Sequence, residues 1–242
     1  MKKTGAMNDI YTIATKVEFL KAMLEIDVPE FEPIYQARPG MYLPILIREN
    51  NQSKMVMAKW GANIKSQPTN YVKMDRILKQ KPYNQLIRSN RCSIPANCFI
   101  TKSKNKVWLV KLIKQRLFWM GGVYQKSISK QGKELYQFAI LLTDQADVLS
   151  SICSEMPVLM GMDRHQHWIA PKDIAGIMNM ADKSSKQWFD FFEVNVNILS
   201  PSINQKEILI PLGSTYQQYQ QRQKKFEKIK IDELRANSRG RK

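Results

Sequence analysis

Three cysteines and two histidines are the side chains of this sequence best suited to act as a nucleophile and as a general base. Cys153 stands two residues before Glu155 and precedes His165 and His167, a set that could supply a nucleophile and its base. A thiol attacks only as the thiolate, so a nucleophile here requires a depressed pKa that residue types alone do not provide. We therefore favour a buried, inert thiol at Cys153, and we expect both histidines at the surface.

The same residues do not match a metal site. Five residues separate Cys92 from Cys98, and neither this spacing nor the His165–His167 pair is that of a zinc signature. The sequence therefore predicts no metal and no cofactor. Three cysteines, an odd number, also fit a reducing compartment better than a disulfide framework.

Basic side chains dominate the charge of the chain. Its 242 residues contain 38 Lys and Arg against 21 Asp and Glu, a net charge of +17. Residues 217–242 hold nine basic and three acidic side chains, which leaves +11 on the rest of the chain. This balance indicates a nucleic-acid partner, and a basic but inert surface is the alternative. With no long apolar run and no apolar signal core, we expect a cytoplasmic protein, nucleoid-associated if it binds DNA.

Short strands interleaved with a few helices must position these residues. Apolar spacing predicts helices over 16–24, 74–79, 144–152 and 181–192, and hairpins that join 41–48 to 55–60 and 107–114 to 117–124. This count of strands favours an α+β fold with antiparallel, curved or barrel-like sheets and a few flanking helices. We expect one domain over residues 7–212, an extension and first strand over 1–14, and a basic tail over 213–242.

One stretch is more specific than the rest. Residues 90–99 read Asn-Arg-Cys-Ser-Ile-Pro-Ala-Asn-Cys-Phe. This stretch resembles the Arg-Arg-Cys-(Leu/Ile)-Ile-Pro-Ala-(Asp/Asn)-Gly-Phe core of the SOS response-associated peptidase family, the abasic-site-processing proteins. Other segments resemble further landmarks of that family in the same order, at residues 35–39, 59–61, 70–75, 81–83, 118–124, 138–143 and 155–159.

The resemblance implies both a fold and a chemistry. Family members use the α-amine and thiol of an N-terminal cysteine to trap the aldehyde of an open abasic deoxyribose as a thiazolidine. A Glu and a His handle protons, and an Asn holds the opened sugar. In this sequence the cysteine position falls on Asn8, the Glu on Thr101, the His on Cys153 and the Asn on Asn70. Because only Asn70 keeps its type, the resemblance predicts a member that binds DNA without forming the covalent link.

The resemblance also implies a basic DNA groove. An aromatic plane can stack on a base and a glycine lets a backbone approach, although Trp60 could equally pack in the core. The candidate DNA contacts are Arg38, Pro39, Lys59, Trp60, Gly61, Asn70, Lys73, Arg88 and Arg91. The predicted partner is single-stranded or abasic-site-containing DNA, bound by a monomer that has no membrane association.

Two other functions stay open. The first is an enzyme with residual abasic-site lyase, crosslinking or peptidase-type activity through another nucleophile. The α-amine of Met1, whose reference pKa is about 7.7–8.0, or a lysine could supply that nucleophile. The second is a protein-interaction module in which the groove binds a peptide and the basic tail is incidental.

Overall fold

The computed structural model describes residues 7–64, 66–113, 115–162, 164–184, 187–215, 217–219 and 221. Its strands are β1 (Met7–Ile13), β2 (Ile34–Ala37), β3 (Tyr42–Glu49), β4 (Gln52–Trp60), β5 (Ala62–Ile64), β6 (Gln67–Thr69), β7 (Tyr71–Lys73), β8 (Arg91–Ala96), β9 (Cys98–Ser103), β10 (Lys106–Leu112), β11 (Phe118–Ile128), β12 (Glu134–Asp144), β13 (Glu155–Pro157), β14 (Leu159–Met160) and β15 (Phe189–Val194). Its α-helices are α1 (Val17–Leu24), α2 (Met74–Lys79), α3 (Tyr83–Ser89), α4 (His165–Ile169) and α5 (Ile174–Asp182). None of the helices in these ranges is long and apolar enough to cross a membrane.

Five strands close into a barrel in the order β12, β4, β3, β8, β11 and back to β12. Strands that alternate in direction around a ring must be even in number, so a ring of five contains a parallel pair. That pair is β4 with β12, joined through Lys59–Gln137 and Trp60–Phe138, and we call it the β4–β12 seam. The predicted α+β fold with a barrel-like core is confirmed.

A second sheet packs beside the barrel in the order β15, β10, β9, β1, β2. The chain passes from the barrel to this sheet at Asn97, whose side chain accepts a hydrogen bond from the Ala14 amide at 2.6 Å and whose amide donates to the Thr12 carbonyl at 2.8 Å. Large buried aromatic side chains, among them Tyr11, Phe118 and Phe138, form the shared core. Burial of this apolar surface is the main stabilising contribution to the fold.

Two predicted elements are confirmed with small shifts in their ends. Helix α1 buries Val17, Leu20 and Leu24, the apolar face that its spacing predicts. The β3–β4 hairpin turns at Asn50 and Asn51, both of which have positive φ angles, 50° and 62°. Asparagine tolerates this left-handed conformation, so the pair suits a two-residue hairpin turn.

Three other predictions of secondary structure are wrong. The described residues of 107–114 and 117–124 do not pair with one another, because β10 lies between β9 and β15 whereas β11 lies in the barrel. The helix predicted over 144–152 is a short 3₁₀ turn at 147–149, because β12 continues to Asp144 beside β13. The segment 181–192, predicted as one helix, contains the end of α5 at Asp182 and the start of strand β15 at Phe189.

Candidate functional site

The positions that the resemblance identifies as catalytic lie together where β1 meets β9. Met7 pairs with Thr101 in this ladder, and Asn8 is the residue after Met7 on β1. The Thr101 hydroxyl donates to the Ile152 carbonyl at 3.1 Å, and Ile152 precedes Cys153. Three positions that are far apart in sequence therefore occupy one region of the fold.

A hydrogen bond between Asp9 and Tyr71 brings the fourth position to the same region. Burial, and then the Asp9 carboxylate, raises the pKa of Tyr71 well above its ordinary value of 10.0. Asp9 follows Asn8 and Tyr71 follows Asn70, so this contact joins the two segments that carry the asparagine positions. The side chain of Asn8 itself lies outside the described part of the structure.

Thr101 and Cys153 are both buried, with no exposed surface. The Cys153 Sγ atom lies 3.7 Å from the Leu149 carbonyl, and burial raises the thiol pKa to about 12. The thiol is therefore protonated at neutral pH and weakly nucleophilic. The inert interpretation of Cys153 fits this environment.

The two histidines lie apart from this region. His165 is buried, contrary to the expectation of a surface position, because its ring stacks on Trp119 with centroids 4.5 Å apart and its Nδ1 lies 2.6 Å from the Met162 carbonyl. His167 is exposed on α4. Within the described ranges, no three His, Cys, Asp or Glu side chains gather as metal ligands.

Asn70 belongs to an open cleft of about 660 Å³ that lies over the β4–β12 seam. The described residues that line it are Pro39, Gly40, Lys59, Trp60, Gly61, Asn63, Ser66, Pro68, Asn70 and Gln137. The structure thus brings together the predicted contacts Pro39, Lys59, Trp60, Gly61 and Asn70. No motif pointed to Gln137, which reaches the cleft only because β12 pairs with β4.

Gly61 allows Asn70 to occupy its place in the cleft. Its φ angle of 113° is unfavourable for other residues, and a Cβ atom there would lie 3.2 Å from the Asn70 Oδ1. The Asn70 carbonyl accepts from the Trp60 indole at 3.1 Å and from the Ile140 amide at 2.9 Å. The backbone of Asn70 is therefore held by the barrel.

The Trp60 ring packs in the core, the alternative that the sequence left open. It is 1% exposed, stacks on Phe138 at 6.2 Å and meets the edges of Tyr11 and Tyr71 at 5.1 and 5.7 Å. It presents no face to a base. An aromatic residue that sequence reasoning missed, Tyr42, is 54% exposed and pairs directly with Lys59 on the β3–β4 hairpin, so the two side chains share a face.

The predicted phosphate contacts do not form one groove. Arg38 donates to Gln36 and to the carbonyls of Ile198 and Leu199, and Lys73 forms an ion pair with Glu155 across β12. Arg91 is 4% exposed and donates to backbone carbonyls, while Arg88 lies in a different pocket. Lys59 is the predicted cation that lines the cleft with an exposed side chain.

Comparison with known proteins identifies the class of protein. The profile of the SOS response associated peptidase (SRAP) family matches residues 7–201, and the chain belongs to this family. Abasic site processing protein YoaM of Bacillus subtilis is 24% identical over 194 residues, which cover 74% of this chain and 86% of that protein. Abasic site processing protein YoqW of Bacillus phage SPbeta is 24% identical over 194 residues, which cover 74% of this chain and 87% of that protein.

Solved structures support the same fold. A protein from Bacteroides thetaiotaomicron superimposes with a TM-score of 0.72 at 15% identity and covers 84% of this chain and 99% of its own. A phage-related protein from Bordetella bronchiseptica superimposes with a TM-score of 0.62 at 15% identity and covers 78% of this chain and 94% of its own. At these identities the likeness concerns the fold alone.

Proposed function

We propose that this protein binds single-stranded or abasic-site-containing DNA in the cleft over the β4–β12 seam, without a covalent link to the DNA. The family and the relatives named as abasic site processing proteins support damaged DNA as the partner. The observation that carries the proposal is the region that joins Asn8, Thr101, Cys153 and Asn70. Of these four positions, only Asn70 keeps the residue type that the family resemblance implies.

The groups near this region are unsuited to trapping an aldehyde. A Schiff base needs a neutral amine and a thiazolidine needs a second, thiolate nucleophile. The Cys153 thiol, with its pKa of about 12, stays protonated, and the Glu155 partner raises the pKa of the Lys73 amine and so keeps it charged. The Thr101 hydroxyl cannot replace the proton transfer of a carboxylate. The Met1 amine lies outside the described residues.

The cleft offers polar groups suited to a sugar and a phosphate. Lys59 supplies a positive charge, and the side chains of Asn63, Asn70 and Gln137 supply amide donors and acceptors. Tyr42, beside Lys59, offers an exposed aromatic face for a base. These contacts are independent of base sequence, so binding discriminates by strand state and by the abasic sugar.

The test is incubation of the protein with single-stranded DNA that carries one abasic site, beside intact DNA, followed by native and denaturing gels. We expect a native shift that disappears on denaturation. The Lys59→Gln variant weakens the shift, whereas Lys130→Gln, which removes the same charge in the exposed β11–β12 turn, does not. A plot of the logarithm of the association constant against the logarithm of the salt concentration should have a slope of about −0.7 for each phosphate neutralised on a single strand.

Other outcomes support the alternatives. A denaturation-resistant band specific to the abasic strand, or trapping by borohydride, means that another nucleophile retains crosslinking or lyase chemistry. Absence of any shift favours a protein-interaction role. Deletion of residues 217–242 without loss of the shift assigns binding to the body and not to the basic tail, which lies mostly outside the described residues.

A further inference from the structure

A second concavity, of about 230 Å³, lies at the other end of the β3–β4 hairpin from the cleft. We call it the arginine pocket, and its described lining residues are Arg48, Asn50, Asn51, Arg88, Ser89, Arg91, Ile169 and Pro171. Lys59 pairs with Tyr42 at the cleft end of the hairpin, and Ser53 pairs with Arg48 at the pocket end. At about 3.4 Å per residue, these ends are about 20 Å apart.

Arg91 places a buried charge in the wall of this pocket. Its Nε donates to the Trp168 carbonyl at 2.7 Å, and its Nη1 and Nη2 donate to the carbonyls of Ile87, Arg88 and Ala170. Among the described residues, four of the five guanidinium N–H donors have these acceptors, and one N–H on Nη2 remains. All these acceptors are neutral. Burial lowers the pKa of Arg91, but an arginine still stays charged at physiological pH.

Arg48 and Arg88 add two further charges. The Nε of Arg48 is buried, and it donates to no acceptor in the described part of the chain. Arg88 is exposed in the last turn of α3. A buried donor without a partner is costly, and a bound water, ion or ligand group at the Arg48 Nε would remove that cost.

The described residues that line the arginine pocket include no carboxylate. Glu49, next to Arg48 in sequence, is held by Lys54 at 2.6 Å and by Lys126 at 3.3 Å. Because alternate side chains of a strand point to opposite faces, Glu49 faces away from Arg48. Three guanidinium groups therefore share a concave surface with no acidic partner in it, a state that a bound anion stabilises.

We propose that the arginine pocket binds a phosphate group. Planar guanidinium forks match two phosphate oxygens at once, and the Asn50 and Asn51 amides and the Ser89 hydroxyl can complete the donors. The phosphate could be free inorganic phosphate or a phosphodiester of a nucleic-acid backbone. The site is separate from the cleft and does not depend on the function proposed for it.

The test is thermal unfolding of the full chain in inorganic phosphate or pyrophosphate, against chloride at matched ionic strength. We expect phosphate to raise the Tm of the wild type and of the Lys16→Gln, Arg116→Gln double variant, which removes two exposed charges elsewhere. The Arg48→Gln, Arg88→Gln double variant loses at least about tenfold in phosphate affinity. The Arg48→Lys, Arg88→Lys variant falls between them, because lysine keeps the charge without the fork.

Intact single-stranded DNA distinguishes the two sources. If the pocket holds a backbone phosphate, the Gln double variant also lowers DNA affinity and reduces the salt slope by about 1.4, which corresponds to two lost contacts. If it holds free phosphate, DNA affinity is unchanged. Phosphate protection that is absent in the wild type, or equal in the wild type and the folded Gln double variant, overturns the proposal. The outcome for Lys59→Gln in the cleft is scored separately, so the two sites can fail independently.

Discussion

The hydroxyl of Thr101 donates to the carbonyl of Ile152 at 3.1 Å and so joins β9 to the loop that carries Cys153. The family resemblance implies a Glu at the first of these positions and a His at the position after the second. In this chain a buried hydrogen bond between a side chain and the backbone stands where the family has a pair of proton-transfer groups. The region holds the fold together without ionising.

Replacement of Thr101 by Val should reveal the structural role of this contact. The change removes the hydroxyl at nearly constant volume and leaves the Ile152 carbonyl buried without its donor. We expect the free energy of unfolding to fall by about 1–3 kcal/mol in urea denaturation. The control is Thr69→Val, which removes an exposed hydroxyl bonded to the Gln67 carbonyl at 3.1 Å and should cost less than about 0.5 kcal/mol. Equal losses in the two variants would contradict the assignment.

Replacement of Gly61 by Ala should weaken DNA binding through Asn70. The φ angle of 113° strains an alanine, and its Cβ lies 3.2 Å from the Asn70 Oδ1, so the amide must move by a few tenths of an ångström. We expect a stability loss of about 1–3 kcal/mol and a severalfold loss of affinity for abasic DNA. Gly132→Ala is a matched control, because its φ angle is 79° and no atom lies within 4 Å of the new Cβ. That variant should lose stability and keep its affinity.

Replacement of Tyr42 by Ala tests the stacking surface that Trp60 cannot provide. Stacking of one base on an aromatic side chain contributes about 1–3 kcal/mol, so we expect a loss of about 5- to 150-fold in affinity for single-stranded DNA, measured by fluorescence anisotropy. Phe19, 50% exposed on α1, is the matched aromatic control, and Phe19→Ala should bind as the wild type does. Equal binding by both variants would remove Tyr42 from the interface.

The buried thiols predict a loss of stability in alkali. Burial raises the pKa of Cys153 and Cys98 from 9.0 to about 12, so the unfolded chain releases these protons at lower pH than the folded chain does. Their stabilising contribution is complete below pH 9 and is lost as pH rises towards 12. The free energy of unfolding should fall by up to about 1.4 kcal/mol per pH unit for each thiol. Urea unfolding between pH 7 and 10 measures this fall, and Cys153→Ala should make it shallower by one thiol.

Local pattern was sufficient to predict elements whose partners are close in sequence. Helix α1 needs only the spacing of Val17, Leu20 and Leu24, and the β3–β4 hairpin needs only two apolar runs and a turn of two asparagines. The hairpin predicted from residues 107–124 failed because β10 forms its local hairpin with the preceding strand β9, and β11 forms its local hairpin with the following strand β12. β10 also pairs with β15, about 80 residues further along the chain, and no local spacing of apolar residues predicts that pairing.

The candidate site was inferred from motif order and not from local chemistry. The order of motifs placed Thr101 and Cys153 in one site although 51 residues separate Thr101 from the carbonyl that it contacts. The environment of Arg91 could not be predicted in this way. An arginine at the start of a strand usually lies at the surface, but the carbonyls at the ends of α3 and α4 accept hydrogen bonds from Arg91 and so allow its burial. Such convergence of helix ends exists only in three dimensions.

The β4–β12 seam has a consequence for motion. It is joined at two residue pairs, as β3 and β8 are, whereas β3 and β4 are joined at eight, so this seam is one of two places in the barrel wall where local opening costs least. The cleft spans the seam from Lys59 to Gln137, and the Gly61 amide beside it donates to the Phe138 carbonyl at 2.9 Å. A molecule bound in the cleft therefore contacts both strands and stabilises their pairing. Slower exchange of the Gly61 amide hydrogen with solvent would show that the bound molecule reduces local opening of the seam, even where no other part of the chain changes.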